Sequence, residues 1–314
     1  GQEYGILWVC FLLISLFNLY NFYLDAIIEG SGNIVAAKKI QVLGAIIYLS
    51  LGAISLIFNI GLLFLVLSQG ISIVVTRLIS RFYISRYILT GSTEGVSKCE
   101  SNKVLNLISP NAFRTGIIGG GIFILQRGPL LISGLYLSTE LVASLGITFQ
   151  LCYVISNISS VFLSVSAPRM SSLFARRFYS DIKKIYINGI VYVIFTYCAA
   201  LGGVIFIIEY CQYYLPGDFK LLSSGLFALC LFSSLIQSIW LKTCGVICLS
   251  NEVPHLLATL VSSGVVILGV FCVLNFMTPS LQNVFFICIL VDLAFNFWFW
   301  PKYLLQRKLC IREF

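Results

Sequence analysis

The chain contains nine apolar stretches that are each long enough to cross a bilayer as a helix. About 20 residues of α-helix span the roughly 30 Å hydrocarbon core of a membrane. With 59% hydrophobic and only 10% charged residues, against about 25% charged in soluble domains, the sequence predicts an all-α integral membrane protein with nine transmembrane helices. The stretches are Ile6–Ile28, Ile40–Phe58, Ile60–Thr76, Thr115–Leu137, Leu145–Ala167, Tyr186–Ile208, Leu221–Leu241, Leu256–Phe276 and Asn283–Trp300.

The basic residues predict the orientation. Of the 20 Lys and Arg residues, only Arg127 and Lys220 lie outside one alternating set of connections and the C-terminal tail. Because cytoplasmic loops are enriched in Lys and Arg, this set is predicted to be cytoplasmic, with the C-terminus on the same side. The net charge of +8 is therefore a topology signal, and no nucleic-acid partner is predicted.

The connections between the stretches indicate how the chain is organised. The longest, residues 77–114, separates three stretches (1–76) from six (115–314), and its part from Thr90 to Lys103 is predicted to be flexible. Asn59 and Gly61 favour a tight turn between the second and third stretches. Met170–Ile185 alternates apolar and basic residues at helical spacing, which predicts an interfacial helix after a span ended by Pro168.

No enzyme, cofactor or metal is predicted. The connections are too short for a soluble catalytic domain, and the sequence has no phosphate-binding glycine loop. The cysteines lie mainly inside apolar stretches, where they behave as small hydrophobic side chains.

Arg127 is the most conspicuous polar residue of the predicted spans. It lies near the middle of the fourth stretch, where a charge costs at least about 2.5 to 3.5 kcal/mol. Its guanidinium suits an anionic ligand such as a phosphate or carboxylate. Alternatively, it pairs with Asp292 of the last stretch and only holds helices together. Both interpretations remain open from the sequence.

Further polar residues of the spans give two smaller sets of candidates. Asp292 and Asp25 are candidate carriers of a coupling H+ or Na+, although Asp25, one helical turn before Glu29, also fits an exposed helix end. Candidate substrate-binding neighbours of Arg127 are Gln126, Gln150, Asn157 and Lys242. The amides are equally suited to hydrogen bonds between helices, and Lys242 to reaching lipid head groups.

Three segments carry a resemblance to a known family. Residues 23–40 (YLDAIIEGSGNIVAAKKI), 167–186 (APRMSSLFARRFYSDIKKIY) and 249–254 (LSNEVP) resemble the turns after the fourth, eighth and tenth spans of bacterial O-antigen and polysaccharide flippases. These flippases belong to the MATE-like superfamily of multidrug, oligosaccharidyl-lipid and polysaccharide exporters. The resemblance implies a two-lobe architecture of twelve helices. Residues 1–76 would form part of the N-lobe, 77–114 the cytoplasmic inter-lobe linker and 115–314 the C-lobe, with three helices expected before Gly1.

The same resemblance implies a function. The protein would be a flippase that moves undecaprenyl-pyrophosphate-linked repeat units across the bacterial inner membrane by alternating access. Arg127 would bind the head group in a cavity between the lobes. The implied partners are a lipid-linked oligosaccharide, H+ or Na+, membrane lipids and other polysaccharide-assembly proteins. The alternatives are a small-molecule or multidrug antiporter of the same superfamily and a membrane polysaccharide polymerase.

Overall fold

The computed structural model describes residues 2–88, 98–214, 222–250, 252–277 and 279–309. Within these ranges the regular structure is helical, with no β-strand, and nine helical segments are long and apolar enough to cross a membrane. The predicted all-α membrane architecture is therefore confirmed. The helices are α1 Gln2–Tyr20, α2 Tyr23–Gly30, α3 Ile34–Ile57, α4 Leu62–Tyr83, α5 Lys98–Tyr136, α6 Thr139–Ala175, α7 Tyr179–Tyr214, α8 Ser224–Cys248, α9 Leu256–Phe276, α10 Leu281–Val291 and α11 Phe297–Tyr303.

The chain folds into two compact units, residues 1–102 and 103–314, which we call the first and second unit. The first unit has one small buried apolar cluster, around Leu24, Ile28 and Ile40. The second unit has two larger clusters, one centred on Trp240 and one on Phe227. The second unit therefore contains most of the buried apolar core.

The first predicted span is interrupted between α1 and α2. Asn21 is fully buried at this point, and its amide nitrogen donates to the carbonyl of Phe17 at 2.9 Å. The amide oxygen of Asn21 accepts from Arg81 of α4, also at 2.9 Å. An Asn side chain that hydrogen-bonds its own backbone competes with the helical pattern, so the break is coupled to a contact with α4.

The predicted turn between the second and third spans is confirmed. Helix α3 ends at Ile57 and α4 begins at Leu62. Asn59 has φ 50° and Gly61 has φ 100°, both in the left-handed region that Asn and Gly tolerate best.

Two predictions about the connection after the fifth predicted span are wrong. Helix α6 continues through Pro168 to Ala175, and the chain reverses at residues 176–178 before α7. No separate interfacial helix forms, because the apolar side chains of this segment pack inside the second unit: Met170 is 1% exposed and Ile182 is 0% exposed.

The connection 77–114 is more helical than its composition indicates. Helix α4 continues past Thr76 to Tyr83 and leads into a π-helical segment, Ile84–Ile88. Residues 89–97, which hold most of the stretch predicted to be flexible, lie outside the described residues. Residues 98–103 belong to α5, so that end of the stretch is helical.

The last span changes helix type along its length. Helix α10 leads into a π-helical segment, Asp292–Asn296, which is followed by α11 and a second π-helical segment, Leu304–Lys308. Such wide turns within α-helices are rare and are frequent at functional sites. The first of them contains the buried carboxyl of Asp292.

Candidate functional site

Four helices of the second unit surround a small polar cleft. Helices α6 and α8 each line it with residues at helical spacing (Phe149, Cys152, Tyr153 and Ser156; Cys230, Ser233, Ser234 and Gln237). The remaining lining comes from Leu125, Gln126, Arg127 and Pro129 of α5 and from Phe285 and Cys288 of α10. Its volume of about 60 Å³ is room for a few water molecules or for one compact group such as a phosphate.

Arg127 is the charged residue among the described lining of this cleft. Its side chain is half-buried, and its guanidinium carbon lies 5.5 Å from the ring centroid of Tyr153. This geometry is a cation–π contact. The ion pairs of the described residues are Lys38–Glu29 and Arg77–Asp25. The alternative in which Arg127 pairs with Asp292 is therefore wrong.

A chain of hydroxyl groups connects the cleft to Lys242. The amino group of Lys242 donates to the carbonyl oxygen of Ser156 at 3.2 Å and contacts its hydroxyl at 3.3 Å. The Ser156 hydroxyl is 3.0 Å from that of Ser238, which is 2.6 Å from the hydroxyl of Tyr197. Tyr197 also contacts the hydroxyl of Ser234 at 2.9 Å. This network ties Tyr197 of α7 to the polar wall that α6 and α8 form.

The predicted substrate-binding residues divide into two groups. Arg127 and Gln126 line the cleft, and Lys242 reaches it through Ser156. Gln150 and Asn157 are exposed and are not among the lining residues. On α6 they lie next to the lining positions Phe149 and Ser156, and one residue rotates a helical side chain by about 100°.

The two predicted ion-coupling carboxyls have different surroundings. Asp292 is 2% exposed and accepts from Asn296 at 3.3 Å. Asn296 in turn donates to Ser262 of α9 at 2.8 Å and accepts from the indole of Trp300 at 3.3 Å. No cationic side chain among the described residues pairs with Asp292.

Asp25 lies in an ion pair that sequence reasoning missed. Its carboxylate is 2.8 Å from Arg77, and the two side chains are only 14% and 10% exposed. Arg77 also donates to Asn18 at 2.7 Å. Asp25 is therefore not at an exposed helix end, and Arg77 is not a loop residue. In the sequence, Asn18 and Asp25 are two helical turns apart, and this spacing indicates that both lie on one face of the first predicted span.

His255, the only histidine of the chain, lies at the N-terminus of α9, between two spans. It is 4% exposed, its Nδ1 has no hydrogen-bond partner, and its ring lies 5.9 Å from that of Trp300. Burial lowers the pKa of His255 below its usual value, because an imidazolium is poorly solvated there.

Taken together, the membrane-spanning helices and a polar cleft lined by several of them define a multi-pass membrane protein of all-α architecture. No family model and no curated protein matches the sequence. Solved structures do match the fold. One is an outward-facing multidrug resistance MATE family transporter of the MOP superfamily, with a TM-score of 0.67 and 14% identity, matched over 93% of this chain and 67% of that one.

Two further MATE structures match similarly. MATE in the straight conformation gives a TM-score of 0.66, and MATE in complex with MaL6 gives 0.70. Both are 14% identical and are matched over 98% of this chain and 71% of theirs. At this identity the likeness establishes the fold: the chain has the helical architecture of MATE transporters.

Proposed function

We propose that the protein translocates lipid-linked O-antigen or polysaccharide repeat units across the bacterial inner membrane by alternating access, as a transporter and not as an enzyme. The observation that carries this proposal is Arg127, a cation in a polar cleft with no acidic partner among the described residues. A guanidinium stays charged in essentially any protein environment. Its cost within a span is offset if the cleft receives an anion.

The pyrophosphate of an undecaprenyl-linked substrate has the chemistry that this cleft accepts. Arg127 presents a planar fork of N–H donors, which matches phosphate oxygens bidentately. Lys242 adds a second cation through the Ser156 hydroxyl, and Gln126 adds an amide in the lining. The volume of about 60 Å³ admits one phosphate of the pyrophosphate, and the rest of the head group and the lipid tail would stay outside the cleft. Gln150 and Asn157 remain candidates for contacts with the sugars.

A multidrug antiporter is the second candidate, because one matched structure is described as a multidrug resistance transporter. A cationic drug would be repelled by Arg127 and Lys242, and no carboxylate lines the cleft among the described residues. The charge of the cleft therefore favours an anionic substrate.

Complementation of a bacterial strain that lacks its own flippase tests the proposal. We expect Arg127→Ala to reduce surface polysaccharide at least tenfold, because each hydrogen bond to a charged group contributes about 1.5 to 3 kcal/mol. Arg127→Lys keeps the charge without the bidentate fork, so we expect partial activity. Arg114→Ala, at an exposed position of the same helix, is the matched control. Normal polysaccharide from Arg127→Ala would refute the assigned role.

Asp292 is the carboxyl that we propose as the carrier of the coupling H+ or Na+. A buried carboxylate without a cationic partner is costly when ionised, so it favours binding a proton or a small cation. Asp25 is less suited, because Arg77 already compensates its charge. We expect Asp292→Asn to abolish transport driven by an ion gradient, and collapse of the H+ or the Na+ gradient separately identifies the ion. Asp181→Asn serves as the control, and gradient-driven transport by Asp292→Asn would exclude the role.

The cellular arrangement is part of the same proposal. Residues 1–76 and 115–314 belong to the N-lobe and C-lobe, 77–114 forms the cytoplasmic linker, and the C-terminus is cytoplasmic because the basic residues favour that side. The membrane lipids and other polysaccharide-assembly proteins are the proposed neighbours. Cysteine labelling from each side of the membrane tests the orientation.

A further inference from the structure

The first unit has a polar cleft of its own, which the proposed function does not use. It lies among α1, the α2 residue Asp25, α3 and α4, and its volume is about 350 Å³. Helices α3 and α4 each contribute polar residues that share one face at helical spacing, and α1 contributes one polar residue. These polar residues are Asn18, Gln41, Tyr48, Gln69, Ser72 and Thr76. Polar faces on membrane-spanning helices are rare and mark cavities that hold water or ligands.

Helices α3 and α4 approach each other closely at Gly44 and Ser72, two lining residues of this cleft. The Ser72 hydroxyl donates to the carbonyl oxygen of Gly44 across the two helices at 2.7 Å. A Cβ on Gly44 would come within 2.5 Å of the Thr76 methyl group. The contact therefore requires glycine, and it holds the polar faces of the two helices at a fixed separation.

The charges of this cleft are compensated within the protein. Arg77 and Asp25, the charged residues of its described lining, form the 2.8 Å ion pair. Nearby, Lys38 pairs with Glu29 at 2.9 Å. An anion would have to displace Asp25 from Arg77, and a cation would have to displace Arg77 from Asp25. The cleft consequently favours a ligand without net charge.

The remaining lining offers hydrogen bonds and one aromatic face. Gln41 and Gln69 each carry an amide that both donates and accepts, and the amide oxygen of Gln41 accepts from Lys38 at 3.3 Å. The Tyr48 side chain is 41% exposed, and its ring can cover the C–H face of a pyranose. Amides together with an aromatic face are the groups that bind neutral sugars.

We propose that the cleft of the first unit binds a neutral sugar ring. Its volume of about 350 Å³ lies in the range of small-molecule sites and is much larger than the cleft at Arg127. Insofar as this sugar belongs to the lipid-linked substrate, the inference rests on the proposed function. It then assigns to the cleft of the first unit the binding of a neutral sugar of the repeat unit.

Saturation-transfer NMR on the protein expressed from its complete gene and purified in detergent tests this inference, with N-acetylglucosamine as the probe. We expect Gln41→Ala and Gln69→Ala each to weaken binding about fivefold, the value of one hydrogen bond. Tyr48→Leu removes the aromatic face and is expected to weaken binding similarly. The matched control is Gln282→Ala, at an exposed position at the start of α10.

Wild-type protein that does not bind the sugar would overturn the inference. Binding unchanged in Gln41→Ala, Gln69→Ala and Tyr48→Leu, or lost equally in Gln282→Ala, would also overturn it. The thermal unfolding temperature of each variant is measured beside its sugar binding, and only variants that are as stable as the wild type are compared, so that misfolding is not mistaken for lost binding. Sugar binding that depends on these residues, together with normal transport by Arg127→Ala, would leave the sugar site standing while refuting the proposed function. Sugar binding that does not depend on these residues, together with impaired transport by Arg127→Ala, would refute only the sugar site.

Discussion

Removing Arg77 should destabilise the first unit strongly. Arg77 and Asp25 are 10% and 14% exposed and are 2.8 Å apart. Loss of one member of such a pair leaves an uncompensated charge, which costs about 3 to 5 kcal/mol. Arg77→Ala also removes the 2.7 Å hydrogen bond to Asn18. We therefore expect the free energy of unfolding, measured by denaturant titration of the purified protein in mixed micelles, to fall by about 3 kcal/mol or more.

The chain provides a matched comparison for this experiment. Lys38 and Glu29 form an ion pair of nearly equal length, 2.9 Å, but their side chains are 59% and 40% exposed. Exposed pairs contribute about 0.2 to 1 kcal/mol, so Lys38→Ala should cost less than about 1 kcal/mol. The double variant Arg77→Gln with Asp25→Asn removes both charges together and should cost less than the sum of its single changes. Equal small losses for Arg77→Ala and Lys38→Ala, or additive losses in the double variant, would refute the reasoning.

Two further predictions concern packing and pH. A Cβ on Gly189 of α7 would overlap the Leu163 side chain of α6, whereas a Cβ on Gly203 would have open space around it. We therefore expect Gly189→Ala to lower the free energy of unfolding by about 1 to 3 kcal/mol. Gly203→Ala should not lower it. The two variants are compared by thermal unfolding in detergent, and equal effects would contradict this account of the α6–α7 contact. The pKa of His255 is lowered in the folded protein, so protonation of this side chain favours the unfolded state. The free energy of unfolding should therefore be unaffected by His255 above about pH 6.5 and should decline as the pH falls through the folded-state pKa. His255→Gln should remove that part of the decline, and an unchanged pH profile would exclude it.

The apolar stretches alone predicted the spans, because a bilayer demands helices of a fixed length. The turn at Asn59 and Gly61 was also predictable, because it depends on the backbone preferences of these two residues and not on distant parts of the chain. The predictions that were wrong concern features that depend on tertiary packing. Pro168 remained within α6 because Met170 and later apolar residues pack into the core, and this packing offsets the lost backbone hydrogen bond.

The sites show the same division between local and tertiary information. Arg127 was recognised because a single charge interrupts an apolar stretch. Arg77 was assigned to a loop because it immediately follows such a stretch, and only the approach of α1, α2 and α4 brings it to Asp25 and Asn18. Gln150 and Asn157 were included for their polarity, whereas their direction on α6 depends on helix rotation.

Reconstitution into liposomes tests the central claim most directly, namely that Arg127 engages the anionic head group of a lipid-linked saccharide during translocation. The protein expressed from its complete gene is inserted into vesicles with an undecaprenyl-pyrophosphate-linked sugar, and the fraction that reaches the outer leaflet is measured with a lectin. The account predicts translocation by the wild type and by Arg114→Ala, and at least tenfold slower translocation by Arg127→Ala. Equal rates for Arg127→Ala and the wild type, or transport of a cationic drug in place of the lipid-linked sugar, would contradict it.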